Sequence, residues 1–276
     1  MNKKITPLKV IIFLALSLMT LTFVYPLFYM FANSLKDKAA YAMDKFNLPL
    51  STFTFDNYAT MISVFNIFLY FKNSMIVATA SVVLILVFAV FASYAFAKLN
   101  FTGKKWFYLC IVGTMFIPGQ VTMIPMYVLF AKMGLVNNFW SVILSYLAGG
   151  LPGAILLMTS NFRGISNEMI EAAKIDGCNY VQMISNIIVP MGMAAIAINI
   201  VFNFIGYWND LFTPMILLQG MEVRTVMAAL ASVMQRYTGD PPYQLAGLML
   251  STAPALLIYI VFQKFIVKGL TVGSIK

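Results

Sequence analysis

From Val10 to Phe31 the chain carries no charged side chain, and a run of that length fixes the solvent in which it folds. About 20 apolar residues in a helix cross the hydrocarbon core of a bilayer. Comparable runs recur at Met75–Ala97, from Trp106 onward, at Phe139–Met158, at Met191–Trp208 and at Leu245–Val267. Strand-like alternation is absent, so the expectation is an all-α membrane protein with six transmembrane helices, not an outer-membrane barrel. Only 10% of the residues are charged, against about a quarter in soluble domains.

Lys3, Lys4 and Lys9 precede the first run, as they would in a signal peptide. The apolar core of such a leader is only about 7–15 residues long, and no A-x-A site follows here. The run 10–31 is therefore read as an uncleaved first helix with a cytoplasmic N-terminus. The net charge of +9 reports orientation and contact with anionic lipid, with no nucleic acid implied. There is no histidine and no metal-ligand spacing, so no metal site is expected. Cys110 lies in an apolar run and Cys178 in a polar stretch, which argues against a disulfide. A P-loop and a nucleophile–base constellation are also missing, so the chain is not expected to be an enzyme.

Between the first two runs, LPLSTFTF (48–55) reads as extended loop. Asp56 is then placed to N-cap an amphipathic segment holding Tyr58, Met61, Ile62, Phe65 and Phe68. The third run is interrupted at Pro118-Gly119-Gln120 and at Pro125, either because it lines a pathway or because bundles tolerate such breaks. Gly149-x-x-x-Gly153 in the fourth suggests close helix packing. Residues 209–244 read as a loop containing the turn signal GDPP. Six spans put both termini on one side. With that side cytoplasmic, eleven Lys and Arg lie inside and seven outside, a bias of the expected sign.

The polar island from Glu168 to Pro190, with Arg163 just ahead of it, carries Glu168, Glu171, Lys174 and Asp176 between strongly apolar runs. Ser166 or Asn167 caps a helix start, with Glu168 near the positive dipole end. Gly177 supplies a left-handed residue that ends the helix. Asn179 and Gln182 resemble a capping box for a second helix, which carries Val181, Ile184, Ile187 and Ile188 toward the membrane. The product is two short helices with an elbow, in which Ala172 and Ala173 form a shallow surface and Glu171 offers a charge. Such a surface suits helix-in-groove docking, although a generic cytoplasmic hairpin would show the same caps. In the fifth run Asn199, Asn203 and Tyr207 share one helical face, either as interhelical glue or as a solute-facing stripe. Mid-span ionisable residues are nearly absent, which argues against an ion-coupled transporter.

Glu171-Ala172-Ala173, Gly177, Ile187, Val189 and Pro190 match the EAA motif of ABC importer permeases, with Val189 where the pattern has Leu. Ser166 departs from that family's frequent Ile-Pro start. Asp56-Asn57-Tyr58, Asn73-Ser74, Tyr207-Trp208-Asn209-Asp210 and Gln263-Lys264-Phe265 with Lys268-Gly269-Leu270-Thr271 and Gly273 extend the resemblance to carbohydrate-uptake permeases, and to the shorter, MalG-like subunit of the pair. The resemblance implies the type I importer fold, with a transmembrane core at 70–267 and a cytoplasmic coupling loop at 163–190. It implies a multi-pass location in a bacterial plasma membrane. The implied partners are a MalF-like permease, two copies of an ABC ATPase that bind the ATP and Mg, and an extracytoplasmic solute-binding protein. The ATPase would dock on Glu171, Ala172, Ala173, Asp176 and Gly177, with contacts from Leu270 to Lys276 in the C-terminal tail 268–276. Asn199, Asn203, Tyr207 and Trp208 would be candidates for the solute pathway.

Overall fold

The computed structural model describes residues 7–50 and 52–272, and every regular element among them is helical. Lys3, Lys4 and the tail beyond Val272 lie outside the described residues. The first helix, α1 (Pro7–Ser34), is followed by α2 (Lys38–Met43) and α3 (Asp56–Ser63). Then come α4 (Ile67–Lys98), α5 (Lys104–Gly113), α6 (Gly119–Lys132) and α7 (Phe139–Arg163). The polar island contributes α8 (Asn167–Ile175), α9 (Tyr180–Met183) and α10 (Val189–Met191). The chain continues through α11 (Met193–Asn209), α12 (Phe212–Leu217), α13 (Val226–Arg236) and α14 (Pro241–Val272).

Among the described residues, four helices are individually long and apolar enough to cross a membrane: α1, α4, α7 and the Pro241–Phe265 part of α14. Two more crossings are bent pairs. Lys104–Phe116 meets Gly119–Lys132 at 98°, and Tyr180–Met191 meets Met193–Asn209 at 78°. Counting each pair once gives the expected six. The first break falls at Ile117-Pro118, where Ile117 turns extended (ψ 114°) ahead of the proline, as the clash with a following proline ring demands. Pro125, by contrast, sits inside α6 without ending it.

The chain forms two compact units, one made of the chain up to Phe68 with Leu230–Ala253, the other of Leu69–Ala229 with the chain from Pro254 on. In the first unit, side-chain hydrogen bonds tie the C-terminal end of α1 to the segment that follows it, and one of them, from Asn57 in α3, satisfies the last carbonyl of α1. Asn33 Nδ2 donates to the Tyr29 and Lys45 carbonyls, at 2.9 and 3.0 Å. Asn57 Nδ2 donates to Ser34 and Lys36 carbonyls at 2.9 and 2.8 Å, and Lys36 Nζ reaches the Asp44 carbonyl at 2.7 Å. Asp56 is not the N-cap that the sequence suggested. Phe55 holds that position and Asp56 is the first helical residue, because Thr54 Oγ1 accepts from the Asp56 amide and turns the chain one residue earlier. Phe65 falls beyond α3, and Asn66 breaks the segment at φ +54° before α4 begins.

In the second unit, α4, α7 and α11 surround a core that includes Ile85, Ala89, Ile155, Met158 and Phe162. Ile170, Ala173, Met183, Ile184 and Ile188 belong to the same core. The polar island is therefore anchored, not suspended. The glycine that brings α7 and α11 together is neither Gly149 nor Gly153. A Cβ on Gly149 would meet nothing within 4 Å, and one on Gly153 only Met115 Cε at 3.7 Å. On Gly150 it would overlap the Tyr207 hydroxyl and lie 2.7 Å from Ile85 Cδ1. The region expected as one loop, 209–244, instead contains α12, a 3₁₀ turn and α13. Val226, Ala229, Leu230 and Val233 in α13 are buried, and this i, i+3, i+4, i+7 spacing within the apolar run 226–234 is a helical signature that the loop reading passed over. The GDPP signal does form a turn, with Asp240 Oδ1 facing the Tyr243 amide at the start of α14.

Candidate functional site

At the entry to α8, Ser166 takes the N-cap position without accepting a backbone hydrogen bond. Its hydroxyl donates to the Glu168 carboxylate, and this bond holds the Glu168 carboxyl below its usual range. At the exit, Gly177 adopts φ +80°. The Cys178 amide donates to the Ala173 carbonyl at 3.0 Å and the Gly177 amide to Lys174 at 3.1 Å. These are the 6→1 and 5→2 bonds of a Schellman motif, which needs a residue tolerant of positive φ. Two residues later the capping box is complete. Asn179 Oδ1 accepts from the Gln182 amide and Gln182 Oε1 from the Asn179 amide, both at 2.9 Å. The helix then opens into a π-turn over Ile184–Ile188, where the Val189 amide reaches back to the Ile184 carbonyl. Pro190 has no amide to give and its ring crowds the preceding turn, so the wider turn absorbs the mismatch.

The two faces of this hairpin differ from the sequence expectation in two places. Ala173 turns inward beside Ile170 and is 6% exposed. Adjacent residues on a helix point about 100° apart, so Ala172 and Ala173 cannot share the outer surface. Val181 points outward and is 62% exposed, while its neighbour Met183 takes the core position. The outer face comprises Glu171, Ala172, Lys174, Asp176 and Gly177. It also carries two apolar side chains that sequence reasoning missed, Ile175 at 87% exposure and Tyr180 at 60%. The signal for Ile175 was available, since it lies four residues after Glu171 and off the 170–173 stripe.

Lys98, at the end of α4, fastens the hairpin to the bundle. Its Nζ donates to the Ile165 carbonyl and to Asn167 Oδ1 (2.9 Å), and lies 3.4 Å from the Arg163 carbonyl. One ammonium thus ties the end of α7 and the first residue of α8 to the second crossing.

The polar stripe on α11 turns largely inward. Asn199 Nδ2 donates to Ala195 O, and Asn203 Nδ2 to Asn199 O, at 2.9 and 2.8 Å. Tyr207 Oη makes contacts to the Tyr146 carbonyl at 3.0 Å and to Asn203 Oδ1 at 3.1 Å. The Tyr146 and Tyr207 rings stack 4.1 Å apart at 7°, and Tyr146 Oη donates to Asp210 Oδ2 at 3.0 Å. Trp208 is nine residues from Asn199, which places it on the opposite helix face. It is 1% exposed and packs against Phe204 and Phe71. Asn199 is buried as well, so in this conformation Asn203 and Tyr207 are the half-buried members of the set. Farther along α4, Asn73 Nδ2 donates to the Glu222 and Arg224 carbonyls at 2.8 and 2.9 Å, while Ser74 Oγ accepts from the Val226 amide at 2.8 Å. Among the described residues, no group of three His, Cys, Asp or Glu side chains comes together to hold a metal ion.

Among the described residues, helices for up to six apolar crossings, two of them sharply bent pairs, and a capped polar hairpin seated in the core of α4, α7 and α11 mark a multi-pass membrane protein. Residues 85–272 match the family described as binding-protein-dependent transport system inner membrane component, and the chain belongs to that family. It is a transport component, not a catalytic subunit. The diacetylchitobiose uptake system permease protein NgcG of Streptomyces coelicolor is 30% identical over 92% of this chain and 84% of its own. The osmoprotective compounds uptake permease protein GgtD of a Synechocystis strain is 31% identical over 83% and 77%. In fold, the chain is similar to a chain of a bacterial ABC transporter that imports alginate, with a TM-score of 0.81, 23% identity, and coverage of 95% of this chain and 99% of that one.

Proposed function

We propose that this chain is one of two permease subunits of an ATP-driven sugar importer, and that the 163–190 hairpin is its docking element for a cytoplasmic ATPase. Solute would arrive on an extracytoplasmic binding protein, and the partner ATPase would bind the ATP and Mg. The sugar class is supported by the diacetylchitobiose relative and by the fold shared with the alginate importer. The observation that carries the docking reading is the two-faced hairpin. Its inner face is built into the transmembrane core, and its outer face presents Glu171, Ile175, Asp176, Tyr180 and Val181 around the Gly177 elbow. A groove that closes on this elbow moves α8 as a lever, and Lys98 and the shared core pass the displacement to α4 and α7 as a rigid-body motion. In this reading the termini and the hairpin lie in the cytoplasm. Asn203 and Tyr207 remain candidates for the solute pathway, reached when the bundle opens around α11, whereas Trp208 acts as packing.

The test is Gly177→Pro in the reconstituted importer. Proline cannot adopt φ +80° and removes the amide that donates to Lys174. Membrane insertion should be unchanged while ATP-dependent uptake is lost, and normal uptake by this variant would sink the docking model. The cyanobacterial relative favours a second reading for the cargo, a small osmoprotective solute. Competition between labelled oligosaccharide and such a solute for uptake separates the two.

A further inference from the structure

At the end of the bundle where α4 gives way to α5, a cavity of about 270 Å³ is lined by Phe96, Lys104, Lys105, Tyr108, Leu109 and Arg163. Half of the lining residues are cationic and none is acidic. The Arg163 guanidinium sits 5.5 Å from the centre of the Tyr108 ring, and Lys104 Nζ is held by the Leu99 carbonyl at 2.7 Å. Both cations are thereby fixed at the cavity and are not free to disperse. The local backbone adds to the positive potential. α5 begins after Gly103 with no side-chain cap and no acid in its first turn, and its first two residues are Lys104 and Lys105. Two lysines at a positive dipole end repel it, the reverse of the favourable arrangement. Trp106 and Phe107 beside them are 71% and 62% exposed, and aromatic side chains of this kind mark the depth of lipid headgroups. The surface of the cavity is mostly apolar, and Phe96, Tyr108 and Leu109 are its uncharged lining residues.

We infer that this cavity is a binding site for an anionic phospholipid, with the phosphate between Lys104, Lys105 and Arg163 and the upper acyl chain against Phe96 and Leu109. Charge complementarity selects the phosphate, and the apolar lining at headgroup depth selects a lipid over a free anion. Arg163 is the last residue of α7, four residues ahead of the start of α8, so an occupied site stiffens the root of the hairpin. The inference stands apart from the docking proposal and survives its failure.

The experiment is native mass spectrometry of the purified full chain equilibrated with equimolar phosphatidylglycerol and phosphatidylethanolamine. Wild type should retain phosphatidylglycerol selectively, and each of Lys104→Gln, Lys105→Gln and Arg163→Gln should weaken retention about fivefold. Lys132→Gln, at the far end of α6, should leave it unchanged, and Arg163→Lys should keep most of it. Excess inorganic phosphate should not displace the lipid. Unchanged selectivity in the exposed Lys105→Gln variant, equal loss in Lys132→Gln, or complete displacement by phosphate would each overturn the assignment.

Discussion

Replacing Gly150 by alanine sets helix propensity against packing, and the structure says which wins. Alanine is better than glycine in a helix by roughly 1 kcal/mol, so propensity alone makes Gly150→Ala stabilising. In the folded protein the new methyl would occupy the place of the Tyr207 hydroxyl, 2.7 Å from Ile85 Cδ1 and 3.0 Å from Asn203 Oδ1. Either α11 moves away from α7 or the Tyr207 ring leaves its stack on Tyr146. Overpacking of this kind costs about 1–3 kcal/mol. Losing the two contacts of Tyr207 Oη adds roughly 0.6 kcal/mol each inside a bilayer. After the gain in propensity, Gly150→Ala should destabilise by about 1–3 kcal/mol. Gly149→Ala, where a Cβ meets nothing within 4 Å, should be neutral or slightly stabilising. Unfolding by a denaturing detergent in mixed micelles measures both. Tyr207→Phe supplies the control, because it removes the atom with which the methyl collides. Gly150→Ala should therefore cost less in the Tyr207→Phe background than in wild type, a coupling that a double-mutant cycle isolates. Equal stability of Gly149→Ala and Gly150→Ala, or strict additivity in the cycle, would refute the reasoning.

Lys98→Met keeps the length of the side chain but removes the donor to Ile165, Asn167 and Arg163. It should raise amide exchange across 163–168 and increase the ATP hydrolysed per solute imported, while Lys98→Arg preserves coupling. Asn73→Ala strips two hydrogen bonds from the Glu222 and Arg224 carbonyls, at about 1 kcal/mol each. Limited proteolysis should then cut the 218–226 turn faster, with an unchanged pattern at the polar hairpin.

The hairpin was the most legible part of the candidate site, because its signals are local. A glycine and an Asn-x-x-Gln spacing meet backbone requirements within a few residues, and the structure satisfies them with a Schellman motif and a full capping box. The orientation of each side chain was less legible. Ala173 turned inward and Val181 outward, against expectation, because the hairpin's rotation is set by what it packs on, not by its own sequence. The region 209–244 reads as loop when its charges and the GDPP turn outweigh the apolar run 226–234, whose helical spacing α13 buries.

By itself the sequence determined the membrane as solvent, the six apolar crossings, the break near Pro118 and the caps that shape the polar island. Each follows from a property of neighbouring residues: uninterrupted hydrophobicity, a missing amide, or a side chain able to satisfy a nearby backbone group. Tertiary structure decided which small residue admits a partner helix, and it chose Gly150 over the motif pair Gly149 and Gly153. It also decided that Trp208 is packing and that Lys98 fastens the hairpin to α4. Those outcomes depend on how one helix is rotated against another, and that angle is fixed by contacts between residues distant in sequence.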